Sequence, residues 1–360
     1  RESAVEMLAI HFANPAMLVA LSPPNQPMSS KIVRSRLPSV ATMLLHDDES
    51  AVLRAAPAPM LEPHMNRRSA LLGLGCLAPS IIWPEAALAD DGVKLKYFPG
   101  AQSSNVVEDT VWKALSARGY NKDNTLFGMS VCSDEVNFFD NEVIDLMRRR
   151  WGEAFSLGGL AGVPFAGKAG LSAYAHHVPD EGKLFILFAP HVGVGSDGKV
   201  GALERAGIVE TSSACGAAVG AFKTLSKPGA TPPTAITDLN DLQFEYIKMK
   251  LASNLEGVGN AVNDLAFVTY MMYQMVQEAM LAQIAAVPGI WDDCSELAVL
   301  GGIQINRFEK GDAFQPLMFQ TTTQAGKTTN LYPSAFGDLP ELSAILGSRV
   351  VANKLLLSSL

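Results

Sequence analysis

The sequence predicts an α/β fold in which helices flank a short, mostly parallel sheet. Two apolar runs, residues 126–131 and 184–189, have the length and composition of buried strands. Residues 138–155 lie between them and read as a helix with apolar side chains on one side. Because strand–helix–strand order favours parallel pairing, we expect the two runs to be neighbouring parallel strands.

Apolar periodicity and turn signals predict the remaining elements. The helices are expected at residues 107–118, 216–225, 242–251 and 260–286, the last being a long, Met-containing helix expected to serve in subunit packing. A further strand is expected at residues 297–305, with a bulge at its two glycines. The last ~50 residues read as irregular until a short helix at residues 339–346.

Composition limits the classes of function. The chain has 360 residues, a formal charge of -8 and 48% hydrophobic residues, which is ample for a globular core. An acidic chain without a basic stripe gives no reason to expect a nucleic-acid partner. Its four cysteines are too few and too scattered for a disulfide framework.

Residues 1–89 read as a targeting leader. Arg67-Arg68 precedes an apolar segment that ends near Trp83, and Ala87-Leu88-Ala89 follows, which is the order of a twin-arginine export signal. The apolar segment is too short for a stable membrane span. A Ser- and Arg-containing stretch further upstream suggests prior plastid import. We therefore expect one domain over residues 90–360, working in a chloroplast, in the thylakoid lumen.

Three potential metal ligands fall at the ends of predicted elements. Cys132 follows the first strand, His191 follows the second, and Cys215 lies near a helix N-terminus, where α/β folds build their sites. Two thiols and one imidazole fit a zinc site with an open fourth position. Taken singly, a cysteine is more often a buried hydrophobe, and such a histidine is more often structural.

Several blocks of sequence, taken in order, resemble one protein family. These blocks are Cys132-Ser133-Asp134, residues 158–170, residues 176–180, residues 188–193 and Ser213-Ala214-Cys215-Gly216. Over about residues 95–310 the chain looks like the LCIB family of low-CO2-inducible algal proteins. These are related to beta carbonic anhydrases, and some members are called theta carbonic anhydrases.

The resemblance implies a fold, an activity and a ligand set. The fold would be like that of beta carbonic anhydrases, and the protein would be a homodimer. Cys132, His191 and Cys215 would hold Zn²⁺, with water or Asp134 in the fourth position. The enzyme would reversibly hydrate CO2 to bicarbonate. His176 and His177 read as a turn pair that could shuttle protons or shape the CO2 pocket.

One departure from the beta-class pattern leaves a role to fill. That pattern places an arginine two residues after the aspartate, to hold it off the metal, whereas this chain has Val136. Arg205, between His191 and Cys215, is the best substitute, and a surface charge is the competing interpretation. Arg148 to Arg150 look like a solvated helix end.

Two other functions stay open on the sequence. The protein could be a catalytically silent zinc-binding structural or partner protein, which an Asp134 fixed on zinc would favour. It could also be a redox sensor in which Cys132 and Cys215 form a disulfide. Bound zinc would argue against the redox sensor.

Overall fold

The computed structural model describes residues 95–255, 264–307 and 311–340. The predicted leader, residues 1–89, and most of the predicted helix 339–346 lie outside the described residues. Among the residues described, no helix is both long and apolar enough to span a bilayer.

Strands and helices alternate up to residue 189, and runs of strands and of helices follow. The strands are β1 Gln102–Ser103, β2 Thr125–Val131, β3 Phe155–Ser156, β4 Gly182–Ala189, β5 His191–Gly193, β6 Ala202–Leu203, β7 Ser212–Ser213, β8 Cys294–Asn306, β9 Ala313–Thr323 and β10 Thr328–Asn330. The α-helices are α1 Ser104–Ser116, α2 Val143–Trp151, α3 Gly167–Ala175, α4 Gly216–Leu225, α5 Leu242–Leu255, α6 Asp264–Ala285 and α7 Tyr332–Phe336.

The main sheet has a parallel centre and an antiparallel edge. Its strand order is β1-β9-β8-β4-β2-β3, and β3, β2, β4 and β8 are mutually parallel. The prediction that the two apolar runs pair in parallel is confirmed, with Leu126 opposite Leu184. Strand β4 is a continuous apolar run because both faces of the sheet are covered there.

Two hydrophobic layers cover the two faces of β4. Leu184, Ile186 and Phe188 point into one layer, which includes helices α3 and α6. Phe185 and Leu187 point into the other layer, with α1 and α2. This alternation follows from the two-residue period of a strand.

Helix α6 is buried on every side over residues 266–276. A helix that is apolar on all sides is typically buried within a domain. Packing within this chain therefore accounts for the apolar residues of α6 without a second subunit. The use of this helix in subunit packing stays a prediction.

Two sequence predictions were wrong, one in the length of a helix and one in the type of structure. The helix predicted at residues 138–155 is only α2, because Asn141 adopts φ +66° and the chain before Val143 forms a turn. Residues 313–323, predicted as irregular, form the long strand β9. Pro316 lies opposite Gly302, where the register between β8 and β9 shifts by one residue, and prolines within sheets occur at such bulges. The extra residue is Leu317 of β9, so the bulge expected in β8 lies on its partner strand.

Candidate metal centre

Three elements deliver the predicted ligands to one edge of the sheet. Cys132 follows the last residue of β2, and His191 begins β5, which continues from the end of β4 and pairs with β8. Cys215 is the N-cap residue of helix α4. Since parallel strands end at the same edge, the ligands converge although they are far apart in sequence.

The three side chains form a buried cluster. Their candidate ligand atoms all lie within 4.8 Å of one another, and the two Sγ atoms are 3.8 Å apart. No other group of three or more His, Cys, Asp and Glu side chains in the described residues meets in this way. The structure thus brings together the ligands that the sequence predicted.

The surroundings of the two thiols shift their pKa values in opposite directions. The amide of Ala161 donates to the Cys132 Sγ at 3.2 Å. Contact with Cys132 and the first amides of α4 hold the pKa of Cys215 below its ordinary value, despite burial. The Cys215 contact and burial raise the pKa of Cys132, against the opposing effect of His191. Cys215 is therefore the thiol more readily deprotonated.

The two ring nitrogens of His191 differ in their surroundings. Nδ1 lies 2.7 Å from Asn306 Oδ1. Nε2 is buried and has no hydrogen-bond partner among the described residues, and it lies 3.8 Å from Asp134 Oδ2. Nε2 is consequently the nitrogen that a metal ion could use.

Asp134 lies at the rim of the cluster, held by Arg205. The Arg205 guanidinium contacts Asp134 at 3.1 Å to each carboxylate oxygen, and its Nε donates to Ser212 Oγ at 2.8 Å. Glu135 also pairs with Arg205. Burial acts against ionisation, but Glu135, His191 and Arg205 together hold the pKa of Asp134 below its ordinary value.

The cluster fits a tetrahedral zinc ion. Zinc–sulfur bonds are about 2.3 Å long, so two sulfurs on one tetrahedral ion lie about 3.8 Å apart. That separation is the one found between Cys132 and Cys215. Two thiols with an unpartnered imidazole nitrogen are also the donor set of known catalytic zinc sites.

The remaining sequence candidates lie elsewhere. His176 and His177 are exposed at the end of α3. Arg148 and Arg149 pair with Glu153 and Asp145, as expected of a solvated helix end. Arg150 instead pairs with the buried Glu108 of α1 and so links two helices.

Sequence reasoning missed Asn306, which is the last residue of β8 and the partner of His191. The signal available was its place at the end of the third parallel strand, at the edge that carries the ligands.

Comparison with known proteins identifies a family for this chain. The model of a family described as limiting CO2-inducible proteins B/C beta carbonic anhydrases matches residues 101–323. A crystal structure of PtLCIB4, a homolog of the limiting CO2-inducible protein LCIB, is 31% identical with a TM-score of 0.60, over 66% of this chain and 98% of that chain.

A crystal structure of LCIB itself is 22% identical with a TM-score of 0.53, over 68% of this chain and 97% of that chain, and supports the fold alone. A search of curated proteins gave no match. The family model covers more than half of the sequence, and its domain is of the beta-carbonic-anhydrase type. The chain therefore belongs to the LCIB family.

Proposed function

We propose that this chain is a zinc-dependent carbonic anhydrase that interconverts CO2 and bicarbonate. The observation that carries the proposal is the buried Cys132, His191 and Cys215 cluster with an arginine-held carboxylate at its rim. Family membership supports the same chemistry.

Each residue has a distinct task in this proposal. Cys132, His191 and Cys215 would hold the zinc ion, whose double positive charge is balanced by the two thiolates, while the imidazole stays neutral. Bound zinc would lower the pKa of water from its value in bulk to about 7 and so supply a nucleophile for CO2 at neutral pH. Asp134 stays ionised and accepts a hydrogen bond from the attacking group, which aligns it with the CO2 carbon.

Arg205 keeps Asp134 available for that task. Its guanidinium engages both carboxylate oxygens, so closing Asp134 onto the metal would require breaking a bidentate ion pair. This favours the active enzyme over the silent zinc protein, in which Asp134 would occupy the fourth position.

Exposure increases from the buried cluster towards the two carboxylates that pair with Arg205. The side chain of His191 is 1% exposed, that of Asp134 is 14% exposed and that of Glu135 is 66% exposed. Arg205 bridges the two carboxylates. We propose Glu135 as the carboxylate that passes the released proton to solvent, because its side chain is far more exposed than that of Asp134, which stays ionised.

Ligand substitutions test the proposal. Changing Cys132, His191 or Cys215 to alanine should remove most of the zinc and the CO2-hydration activity. Cys294→Ala is the matched control, because Cys294 is also a buried free thiol but lies at the start of β8. Stoichiometric zinc in Cys215→Ala would contradict the ligand assignment. Purified protein with a Cys132–Cys215 disulfide and no zinc would favour the redox sensor instead.

We also propose that residues 1–89 deliver the protein to the thylakoid lumen and that it works there as a homodimer. The order of Arg67-Arg68, apolar segment and Ala87-Leu88-Ala89 supports the export step. Replacing Arg67 and Arg68 by lysine should leave the precursor unprocessed outside the lumen. Arrival of the processed variant in the lumen would refute this assignment.

A further inference from the structure

A row of buried polar side chains lies against Nδ1 of His191. It consists of Asn306 at the end of β8, Asp312 just before β9, and Glu142 just before α2. All three are at least nine-tenths buried, as is His191 itself. A buried polar group without a hydrogen bond costs free energy of folding, so the hydrogen bonds among these side chains fix their orientations.

The orientation of the Asn306 amide follows from its partners. Its Nδ2 donates to Asp312 Oδ2 at 2.5 Å and to the Val136 carbonyl at 3.3 Å. A carbonyl oxygen and a carboxylate can accept hydrogen bonds but cannot donate them, so the nitrogen of the Asn306 amide must face them. Oδ1 is then the atom that faces His191, at 2.7 Å from Nδ1.

That orientation determines which nitrogen of His191 carries the proton. Since Oδ1 has no hydrogen to give, Nδ1 must be the donor. In the neutral ring Nε2 then presents its lone pair, and Nε2 is the nitrogen without a hydrogen-bond partner among the described residues. A metal-bound histidine is commonly oriented in this way through its second nitrogen.

Asp312 is itself held in place. Its Oδ1 accepts the backbone N–H of Arg307 at 2.8 Å, and its own backbone N–H donates to Glu142 Oε1 at 3.3 Å. Burial and the Asp312 charge raise the pKa of Glu142 to about 9, so Glu142 stays protonated at neutral pH. A neutral Glu142 leaves Asp312 without a second negative charge beside it.

We propose that Asn306 and Asp312 are positioning residues of the metal centre: Asn306 fixes His191 as the Nδ1–H tautomer, and Asp312 fixes the Asn306 amide. The proposal rests on the proposed zinc site, because only there does the tautomer of His191 matter. Neither residue touches the reacting atoms; both act through the histidine ligand.

The first test uses the unmodified full chain. Nitrogen-15 NMR of the metal-free, reduced protein, recorded as the pH is raised until the ring is neutral, reports the His191 tautomer, with His191→Ala identifying the signal. We expect the proton on Nδ1. A proton on Nε2 would overturn the proposal, whatever the variants do.

Variants supply the second test, with a metal readout. Competition with a zinc chelator should show that Asn306→Leu weakens Zn²⁺ binding by about 10–100-fold. Asp312→Asn should weaken it less, because its amide still pairs with Asn306 but no longer dictates the orientation. Gln315→Leu is the control, since Gln315 is a fully buried amide on the adjacent strand, bonded to Tyr270 and Pro99.

The outcomes separate this inference from the proposed function. If folded Asn306→Leu bound zinc as tightly as the parent, the role of Asn306 would be overturned. If Asp312→Asn did so, the role of Asp312 would be overturned. A parent that takes up no zinc would defeat the proposed function. In that case the tautomer measurement still decides whether Asn306 sets the state of His191.

Discussion

Asp134 is the residue that separates an active enzyme from a silent zinc protein. Asp134→Asn should leave zinc bound, because Cys132, His191 and Cys215 remain, yet lower CO2 hydration by a factor of about 10²–10⁴. Zinc content and initial hydration rates measure the two effects. Hydration as fast as that of the parent would reduce Asp134 to a structural neighbour of Cys132.

Arg205 should act in the same direction through Asp134. Arg205→Ala frees a carboxylate that is otherwise held at both oxygens, so hydration should fall while zinc content is kept. Arg149→Ala is the matched control, because Arg149 pairs within its own helix and its side chain is 53% exposed. An equal loss in both variants would mean that the Arg205 effect is nonspecific.

The sequence predicted the candidate metal ligands but not the side chains that orient His191. Cysteine and histidine at strand ends are rare enough to stand out, and Arg205 was identified only because Val136 occupies the expected arginine position. Asn306 carries only the weak signal of its place at the end of a parallel strand, and Asp312 carries none, because an amide or a carboxylate beside a strand is ordinary. Their roles depend on which side chains the folded chain brings within hydrogen-bond distance.

Among the elements, the turn Leu160–Gly162 links strand packing to the metal ligands. Its Ala161 amide donates to Cys132, and the Gly162 carbonyl accepts a hydrogen bond from Ser130 on β2. Gly162 has φ +81°, and a Cβ there would lie 2.4 Å from the Ala189 carbonyl oxygen. A side chain at this position would force the turn away from the ends of β2 and β4.

Gly162→Ala should therefore destabilise the protein more than Gly167→Ala. Gly167 also has a positive φ, +64°, but a Cβ there would meet nothing within 4 Å. The control should show only the backbone strain, about 1–2 kcal/mol, and Gly162→Ala should add the clash to it. Urea denaturation measures both variants, and equal destabilisation would show that the turn adapts.

Strands β2 and β4 were predictable because burial on both faces leaves a continuous apolar run. Strand β9 was not, because Pro316 breaks the local pattern, and the bulge beside it at Leu317 exists only through pairing with β8. The pairing of β9 with β8 depends on tertiary contacts, which the local sequence does not predict.

For the molecule as a whole, the buried Glu142 predicts how stability depends on pH. Its pKa rises from an ordinary 4.5 to about 9 on folding, first through burial and then through Asp312. The folded chain then binds a proton that the unfolded chain has lost, so this contribution is complete below pH 4.5 and declines up to about pH 9. Glu142→Gln should reduce the decline.

Urea denaturation at a series of pH values compares the two proteins. The parent should lose stability more steeply than Glu142→Gln as the pH rises from about 5 to about 9. Glu296→Gln serves as the control, because Arg118 and Lys183 hold the pKa of Glu296 low against the effect of burial, so its contribution changes only in acid. Parallel curves for the parent and Glu142→Gln would contradict the assignment.

Zinc content and CO2 hydration, measured together on the unmodified protein, test the central claim most directly. We expect about one zinc per chain, loss of hydration when a chelator removes the metal, and recovery when zinc is returned. Protein that binds no zinc, or that binds zinc and hydrates no CO2 at any pH, would contradict it.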